Sequence, residues 1–141
     1  MIKKINGVTF IDDSKSTNVH STMHALREVR SDSIILLLGG YDKGLDYGDI
    51  FTYFASRLKS VVAYGKCGGK IVKSAKRQGY TDIKRCKRLA DAVIYATTIS
   101  QRGDTVLLSP ATSSFDEFSS YIERGEKYRS LVNKVEDSCR K

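Results

Sequence analysis

The feature of this sequence that most limits its possible folds is a regular alternation of short apolar runs with segments of helical periodicity. The apolar runs at residues 33–38, 61–64 and 105–109 have the length of buried strands. Between them, apolar side chains recur at three- and four-residue steps, as on one face of a helix. Short strands joined by helices predict a mostly parallel sheet that is covered by helices on both faces.

The N-terminal segment departs from this alternation. Asn6-Gly7 is a strong hairpin signal, and it separates two strand-like runs at residues 1–5 and 8–12. We therefore expect two antiparallel strands at the start of the chain. The predicted fold class is α/β, a Rossmann-like three-layer sandwich with a mostly parallel sheet of about six strands and one antiparallel strand from the N-terminal hairpin.

The same patterns place the remaining elements. The helices are predicted over residues 18–30, 47–58, 70–78, 89–100 and 114–132. A short strand is also predicted over residues 82–86.

Length and composition indicate one soluble globular domain, residues 1–141. Hydrophobic residues make up 40% of the chain and charged residues 28%. The apolar runs are too short to span a bilayer, and the N-terminus lacks the apolar block of a signal peptide, so a cytoplasmic protein is predicted. The three cysteines show no C-x-x-C spacing, which indicates neither a disulfide framework nor a metal site.

The net charge of +8 is concentrated in residues 66–88. This segment has nine Lys and Arg residues against Asp82 alone, so it carries the whole excess. Such a basic segment can attract nucleic acid. It contains only one aromatic residue, Tyr80, and so offers no ladder for stacking bases. We favour an ordinary solvated face and assign the segment no role.

Polar, turn-rich segments follow three of the predicted strands, at residues 12–18, 39–44 and 109–116. Open α/β sheets bind ligands beyond the carboxyl ends of their strands, so these segments are candidate binding loops. In the first, Asp13 could accept hydrogen bonds from ribose hydroxyls, and Lys15 could neutralise a phosphate or carboxylate. This segment also suits helix capping, because it contains four residues of the N-cap type, Ser14, Ser16, Thr17 and Asn18.

The other two segments also have both a functional and a structural interpretation. Gly39-Gly40 permits close backbone approach and Lys43 could meet an anion, although a solvated lysine in a loop would look the same. Ser113 and Ser114 are predicted to begin a helix, whose free N–H groups suit a carboxylate, although they could simply cap that helix.

Two nucleotide and metal motifs are incomplete. Gly39 and Gly44 have the glycine spacing of a P-loop, but Leu45 and Asp46 stand where its Lys and Ser/Thr should be. His20 and His24 have the spacing of zinc-protease ligands, but Ser21 replaces the required Glu. The sequence therefore predicts neither a self-sufficient triphosphate site nor a zinc site, and the two histidines are expected on a helix face.

Taken together, these segments resemble the C-terminal domain of the bacterial Mur ligases over nearly the whole chain. The resemblance is carried by five motifs in order: residues 12–18, Gly39-Gly40 with Lys43, residues 107–111, residues 114–118 and residues 123–125. Within the family the chain is most similar to members that add D-glutamate, because Ser14-Lys15 stands where other members usually carry different residues. Such enzymes also have a UDP-sugar domain and a central ATPase domain with a P-loop, and both are expected to lie outside this sequence.

The resemblance implies an ATP-dependent, amide-forming ligase of peptidoglycan synthesis. ATP and Mg²⁺ would convert the carboxylate of UDP-N-acetylmuramoyl-L-alanine into an acyl phosphate, which the amine of D-glutamate then attacks. Asp13, Lys15 and Asn18 would belong to the nucleotide side, Lys15 positioning the reacting anions. D-glutamate would be held by five residues: Thr17, Lys43, Ser114, the Phe115 backbone and, packing nearby, Tyr121.

For this domain alone, the resemblance implies no bound cofactor, no metal and no catalytic activity. A monomer is expected, without a nucleic acid or membrane partner. Two other functions remain open at this point. The first is a stand-alone flavodoxin-like module that binds a small phosphorylated ligand, and the second is a nucleic-acid-binding domain that uses the basic segment.

Overall fold

The computed structural model describes residues 2–139. Its first two strands form a hairpin whose tight turn is made by Asn6 and Gly7. Both turn residues have positive φ, 49° and 80°, as a two-residue turn matched to the twist of a hairpin requires. Strand β1 (Ile2–Ile5) pairs antiparallel with β2 (Val8–Asp12), from Ile2 opposite Ile11 to Ile5 opposite Val8. The predicted hairpin is confirmed for its described residues, and Met1 lies outside them.

Helices and strands then alternate to the end of the chain. In order they are α1 (Val19–Glu28), β3 (Ile34–Gly39), α2 (Gly48–Phe54), a 3₁₀ turn (Ala55–Arg57), β4 (Leu58–Tyr64), α3 (Gly68–Arg77), β5 (Ile83–Arg85), α4 (Leu89–Ile99), β6 (Thr105–Leu108) and α5 (Tyr121–Cys139). The strand order across the sheet is β1-β2-β6-β3-β4-β5. Every pair except β1–β2 is parallel, which confirms the predicted sheet.

Strand β3 is buried on both faces and separates two apolar cores. Leu36 and Leu38 pack with α1, α2 and α3 on one face. Ile35 and Leu37 pack with α4 and α5 on the other. Side chains of a strand point alternately to opposite faces, so a continuous apolar run supplies both cores. This arrangement confirms the three-layer sandwich.

One predicted helix begins at the wrong place. The last helix starts at Tyr121 rather than Ser114 and runs to Cys139 rather than about residue 132. The hydroxyl oxygen of Ser120 accepts a hydrogen bond from the Glu123 N–H, so Ser120 caps the helix. Residues 114–118 form a turn instead, in which the Ser114 carbonyl accepts hydrogen bonds from the N–H groups of Glu117 and Phe118.

A smaller correction concerns the second helix. It was predicted to reach residue 58, but α2 ends at Phe54, and Leu58 already begins β4 beside Ile34 of β3. Pairing with a neighbouring strand outweighed the local helical periodicity here. No helix among residues 2–139 combines the length and apolarity needed to cross a membrane.

Candidate functional site

Three loops meet at one edge of the sheet because the strands that precede them are parallel. These loops follow β2, β3 and β6. Hydrogen bonds between backbones join them: Asp13 N–H donates to the Leu108 carbonyl at 2.8 Å, and Tyr41 N–H donates to the Ser113 carbonyl at 2.8 Å. The Ala111 N–H donates to the Ser16 carbonyl at 3.1 Å. The three polar segments of the sequence therefore form one continuous surface.

The buried side chain of Arg124 holds two of these loops together. Arg124 comes from α5 and is fully buried. Its Nη1 donates to the Thr112 carbonyl at 2.9 Å, and its Nη2 donates to the Ser14 carbonyl at 2.7 Å. Burial lowers the pKa of this guanidinium from its usual value, against the opposing effects of Tyr64 and Asp116. A planar group with several fixed donors suits this bridging position.

Close packing of the loops also explains two of the glycines. Gly40 has φ +135°, and a Cβ there would lie 2.4 Å from the Ser113 carbonyl oxygen. At Gly125, on α5 beside Arg124, a Cβ would lie 2.5 Å from the Ser14 hydroxyl. Both contacts are shorter than a real Cβ makes. At Gly40 the contact is with backbone, so a side chain would push the loops apart, whereas at Gly125 it would displace the Ser14 side chain.

A cavity of about 380 Å³ lies where the loops meet. It contains all five residues predicted to hold the substrate, together with two that the sequence analysis did not assign to it. The lining residues are Thr17, Tyr41, Lys43, Ser113, Ser114, Phe115 and Tyr121. The Lys43 ammonium is exposed and donates to the Thr17 carbonyl at 3.0 Å, which holds its positive charge beside the cavity.

Two serines that line this cavity have hydroxyls without a hydrogen-bond partner among residues 2–139. Ser114 is 1% exposed and Ser113 is 8% exposed, and neither Oγ atom makes a hydrogen bond within the part of the chain that the structure describes. Most buried polar atoms in proteins are hydrogen-bonded, so such hydroxyls need an explanation. The helix N-terminus that the sequence predicts here is wrong, because α5 begins only at Tyr121. This loop therefore offers an anion hydroxyl groups and not a helix dipole.

Aromatic side chains stand on the exposed side of the cavity. The rings of Tyr41 and Phe115 meet edge to face, with their centroids 6.4 Å apart. Phe115 is 65% exposed and Tyr121 is 45% exposed, so both rings offer apolar surface at the opening of the cavity. Tyr41 is not among the predicted site residues, although it lies inside the glycine-rich segment at residues 39–44 and lines the cavity.

A second, larger groove of about 890 Å³ lies beside α1 and contains two of the predicted nucleotide-binding residues, Asp13 and Lys15. The Asp13 Oδ2 accepts hydrogen bonds from the hydroxyls of Ser16 and Ser109, at 2.5 and 2.7 Å. Lys15 is exposed. Asp13 and Lys15 therefore lie in a different opening from the five residues assigned to D-glutamate.

Asn18, the third residue assigned to the nucleotide side, caps α1. Its Oδ1 accepts a hydrogen bond from the Ser21 N–H at 2.8 Å. It is not among the residues that line the groove. His20 and His24 do line it, from their positions on α1. Among residues 2–139, no three His, Cys, Asp or Glu side chains are grouped so that they could hold a metal ion.

Comparison with known proteins gives a consistent family. Residues 1–112 match the family described as Mur ligase, glutamate ligase domain. The UDP-N-acetylmuramoylalanine--D-glutamate ligase of Aquifex aeolicus is 44% identical over 127 residues, which are 90% of this chain and 30% of that protein. The ligase of the same name from Cytophaga hutchinsonii is 40% identical over 131 residues, 93% of this chain and 29% of that protein. The chain thus spans about 30% of the length of these curated relatives.

Solved structures share the fold at low sequence identity. A UDP-N-acetylmuramoyl-L-alanyl-D-glutamate--2,6-diaminopimelate ligase matches with a TM-score of 0.64 and 13% identity, covering 96% of this chain and 31% of that one. The MurF ligase of Thermotoga maritima, solved in complex with ADP, matches with a TM-score of 0.60 and 12% identity, covering 97% and 30%. A domain from a ligase of Haemophilus ducreyi matches over 98% of its own chain, with a TM-score of 0.56 and 14% identity.

Proposed function

Because this chain belongs to the Mur ligase family, as a glutamate ligase domain, we propose that it binds D-glutamate and completes the ATP site of a D-glutamate-adding ligase. The whole enzyme would join D-glutamate to UDP-N-acetylmuramoyl-L-alanine in peptidoglycan synthesis. It would act in the cytoplasm as a monomer. The UDP-sugar domain and the central ATPase domain would be supplied by other parts of the same protein.

The observation that carries this proposal is the composition of the smaller cavity. Its lining includes all five residues that the family resemblance assigns to D-glutamate. These residues are far apart in the sequence, and they include residues from the loops after β2, β3 and β6. An unrelated surface pocket would not be expected to contain all five of these residues.

The charges and hydroxyls of the cavity suit a dicarboxylate. Each carboxylate needs a cation or several hydrogen-bond donors when it leaves water. Lys43 can meet one carboxylate, while Ser114 offers a buried hydroxyl without a protein partner. Phe115 and Tyr121 give apolar surface for the methylene groups between the two carboxylates.

The neighbouring groove is suited to the nucleotide. An ionised carboxylate can accept about four hydrogen bonds, and Asp13 accepts two from Ser16 and Ser109. It therefore keeps capacity for ribose hydroxyls. Lys15, on the same rim, would lie near the reacting anions. The P-loop and the ligands of Mg²⁺ are assigned to the central domain, so this domain contributes positioning rather than covalent chemistry.

The proposal is tested by Lys43→Ala in the full-length ligase. Removing a charge-assisted contact worth about 1.5–3 kcal/mol should raise the KM for D-glutamate roughly ten- to a hundredfold. The KM for ATP should change little, because Lys43 lines the smaller cavity and not the groove. Lys73→Ala is the matched control, since Lys73 is an exposed lysine of α3 that lines neither cavity.

Steady-state kinetics with each substrate varied in turn would separate the outcomes. A normal KM for D-glutamate together with a raised KM for ATP would place Lys43 on the nucleotide side and contradict the proposed division of the site. If Lys43→Ala and Lys73→Ala raised the KM for D-glutamate by the same factor, the overall positive charge of the domain, and not a contact made by Lys43, would explain the effect.

A further inference from the structure

Ser113 carries a buried hydroxyl that the fold itself does not use. The residue is 8% exposed, and its Oγ makes no hydrogen bond to any described residue. An unpaired buried hydroxyl is destabilising, and native proteins contain few of them. A ligand bound in the cavity that Ser113 lines would supply the partner that the described residues do not.

The backbone of Ser113 is held in place although its hydroxyl is not. Its carbonyl accepts the Tyr41 N–H at 2.8 Å, and the preceding carbonyl, of Thr112, accepts Nη1 of Arg124 at 2.9 Å. The absence of a side chain at Gly40 allows this close approach, because a Cβ there would lie 2.4 Å from the Ser113 carbonyl oxygen. Ser113 is therefore anchored on the wall of the cavity that also contains Ser114 and Lys43.

From this geometry we propose that the Ser113 hydroxyl donates a hydrogen bond to a carboxylate of the amino-acid substrate, as a second serine contact beside Ser114. The inference rests on the proposed function. A carboxylate accepts several hydrogen bonds, so it can take donors from Lys43 and from both serines. Because the Ser113 hydroxyl has no partner among the described residues before binding, a ligand that places a carboxylate there gains a hydrogen bond that a ligand without it does not gain. Ser113 is thus an additional substrate-binding residue of the proposed D-glutamate site.

The proposal predicts opposite effects of Ser113→Ala on binding and on stability. In the full-length ligase the KM for D-glutamate should rise about tenfold, through loss of a hydrogen bond to a charged group, and the KM for ATP should stay unchanged. In the 141-residue chain the midpoint of thermal unfolding should stay the same or rise, because no protein hydrogen bond is lost.

Ser60→Ala is the matched control. Ser60 is also 8% exposed, but its hydroxyl donates to the Asp82 carbonyl at 3.2 Å, and the residue lies in β4 outside the cavity. This variant should lower the unfolding midpoint by about 3 °C and leave both KM values unchanged.

The outcomes distinguish a failure of the inference from a failure of the proposed function. If Lys43→Ala and Ser114→Ala raise the KM for D-glutamate but Ser113→Ala does not, the role of Ser113 is overturned and the proposed function stands. If none of the three raises it, the proposed function itself fails. A rise in KM accompanied by a loss of stability like that of Ser60→Ala would assign Ser113 a structural role and also overturn the inference.

Discussion

Arg124 is the residue on which the organisation of the candidate site depends most. Its guanidinium joins the carbonyls of Thr112 and Ser14, which lie in the loops after β6 and β2. The first loop contributes serines to the smaller cavity, and the second contributes Asp13 and Lys15 to the groove. This buried side chain therefore adds to the backbone hydrogen bonds that join the same two loops.

We expect Arg124→Met to destabilise the chain by about 2–5 kcal/mol, because two buried carbonyls lose a charged donor and a buried network is broken. Urea unfolding of the 141-residue chain measures this loss. Lys127→Met is the control, since Lys127 is exposed on the same helix and its replacement should change stability by no more than about 0.5 kcal/mol. A loss of less than about 1 kcal/mol for Arg124→Met would mean that the loops hold their positions without it.

At the scale of secondary-structure elements, a hydrogen-bonded cluster centred on Asp104 links β3, β4 and β6 at the end of the sheet that lies opposite the candidate site. The Asp104 carboxylate, just before β6, accepts hydrogen bonds from Lys59 of β4 at 2.5 Å, from the Ser33 hydroxyl before β3 at 2.6 Å and from the Gln101 N–H at 2.8 Å. Its side chain is 7% exposed. Burial alone would raise the pKa of Asp104, but the hydrogen bonds from Lys59, Ser33 and Gln101 together lower it below 3.8.

A depressed carboxyl pKa stabilises the folded state above the unfolded pKa, and this stabilisation is lost as the pH falls through the folded pKa. Asp104→Asn should therefore reduce the free energy of unfolding by about 1.5–3 kcal/mol at pH 7. The difference from the original chain should shrink as the pH falls below 3.8. Urea unfolding over this pH range checks the prediction, with Asp137→Asn, an exposed position in α5, as the control. A difference that does not depend on pH would exclude the ionised carboxylate as its cause.

The basic segment is also best understood at the scale of elements. Lys73, Lys76 and Arg77 are exposed on α3, and Lys84 and Arg85 are exposed on β5, the edge strand of the sheet. Positive side chains near the end of a helix interact favourably with its dipole, and on an edge strand they oppose pairing with another chain. These effects favour the interpretation as a solvated face.

At the scale of the whole molecule, the candidate site consists of two neighbouring openings. The smaller cavity is lined by the loops that follow β2, β3 and β6, whereas the groove is lined by the loop after β2 together with α1. The P-loop motif is incomplete in this sequence. The chain spans about 30% of the relatives it matches. We therefore assign the transfer of phosphate to parts of the proposed ligase outside this sequence.

The 141-residue chain should accordingly unfold cooperatively and lack catalytic activity. Two apolar cores share the central strands, so circular dichroism and tyrosine fluorescence should report the same single transition. A clean preparation should release no phosphate from ATP, with or without D-glutamate. Phosphate release by the chain alone would contradict the assignment of the P-loop chemistry to another domain.

The sequence by itself determined the sheet, the hairpin and the loops that carry the candidate site. Asn6 and Gly7 tolerate the positive φ of a tight turn, which is why their residue types predict the hairpin. Apolar runs of strand length are buried in a folded protein, which is why they predict the strands of the sheet. The residue type of Asn18 likewise predicts a helix N-cap, and Asn18 caps α1 in the structure. All five residues assigned to D-glutamate by resemblance line one cavity, although their contact with a substrate stays a prediction.

Tertiary structure alone decided how those loops meet and which groups are left without partners. Residues 114–118 have a good local signal for a helix start, but they form a turn, and the helix begins only after Ser120. Arg124 reaches a carbonyl 110 residues earlier in the chain, and no local pattern specifies such a contact. The burial of Ser113 likewise depends on the assembled loops, since its carbonyl accepts the Tyr41 N–H and lies against Gly40 from a distant part of the chain.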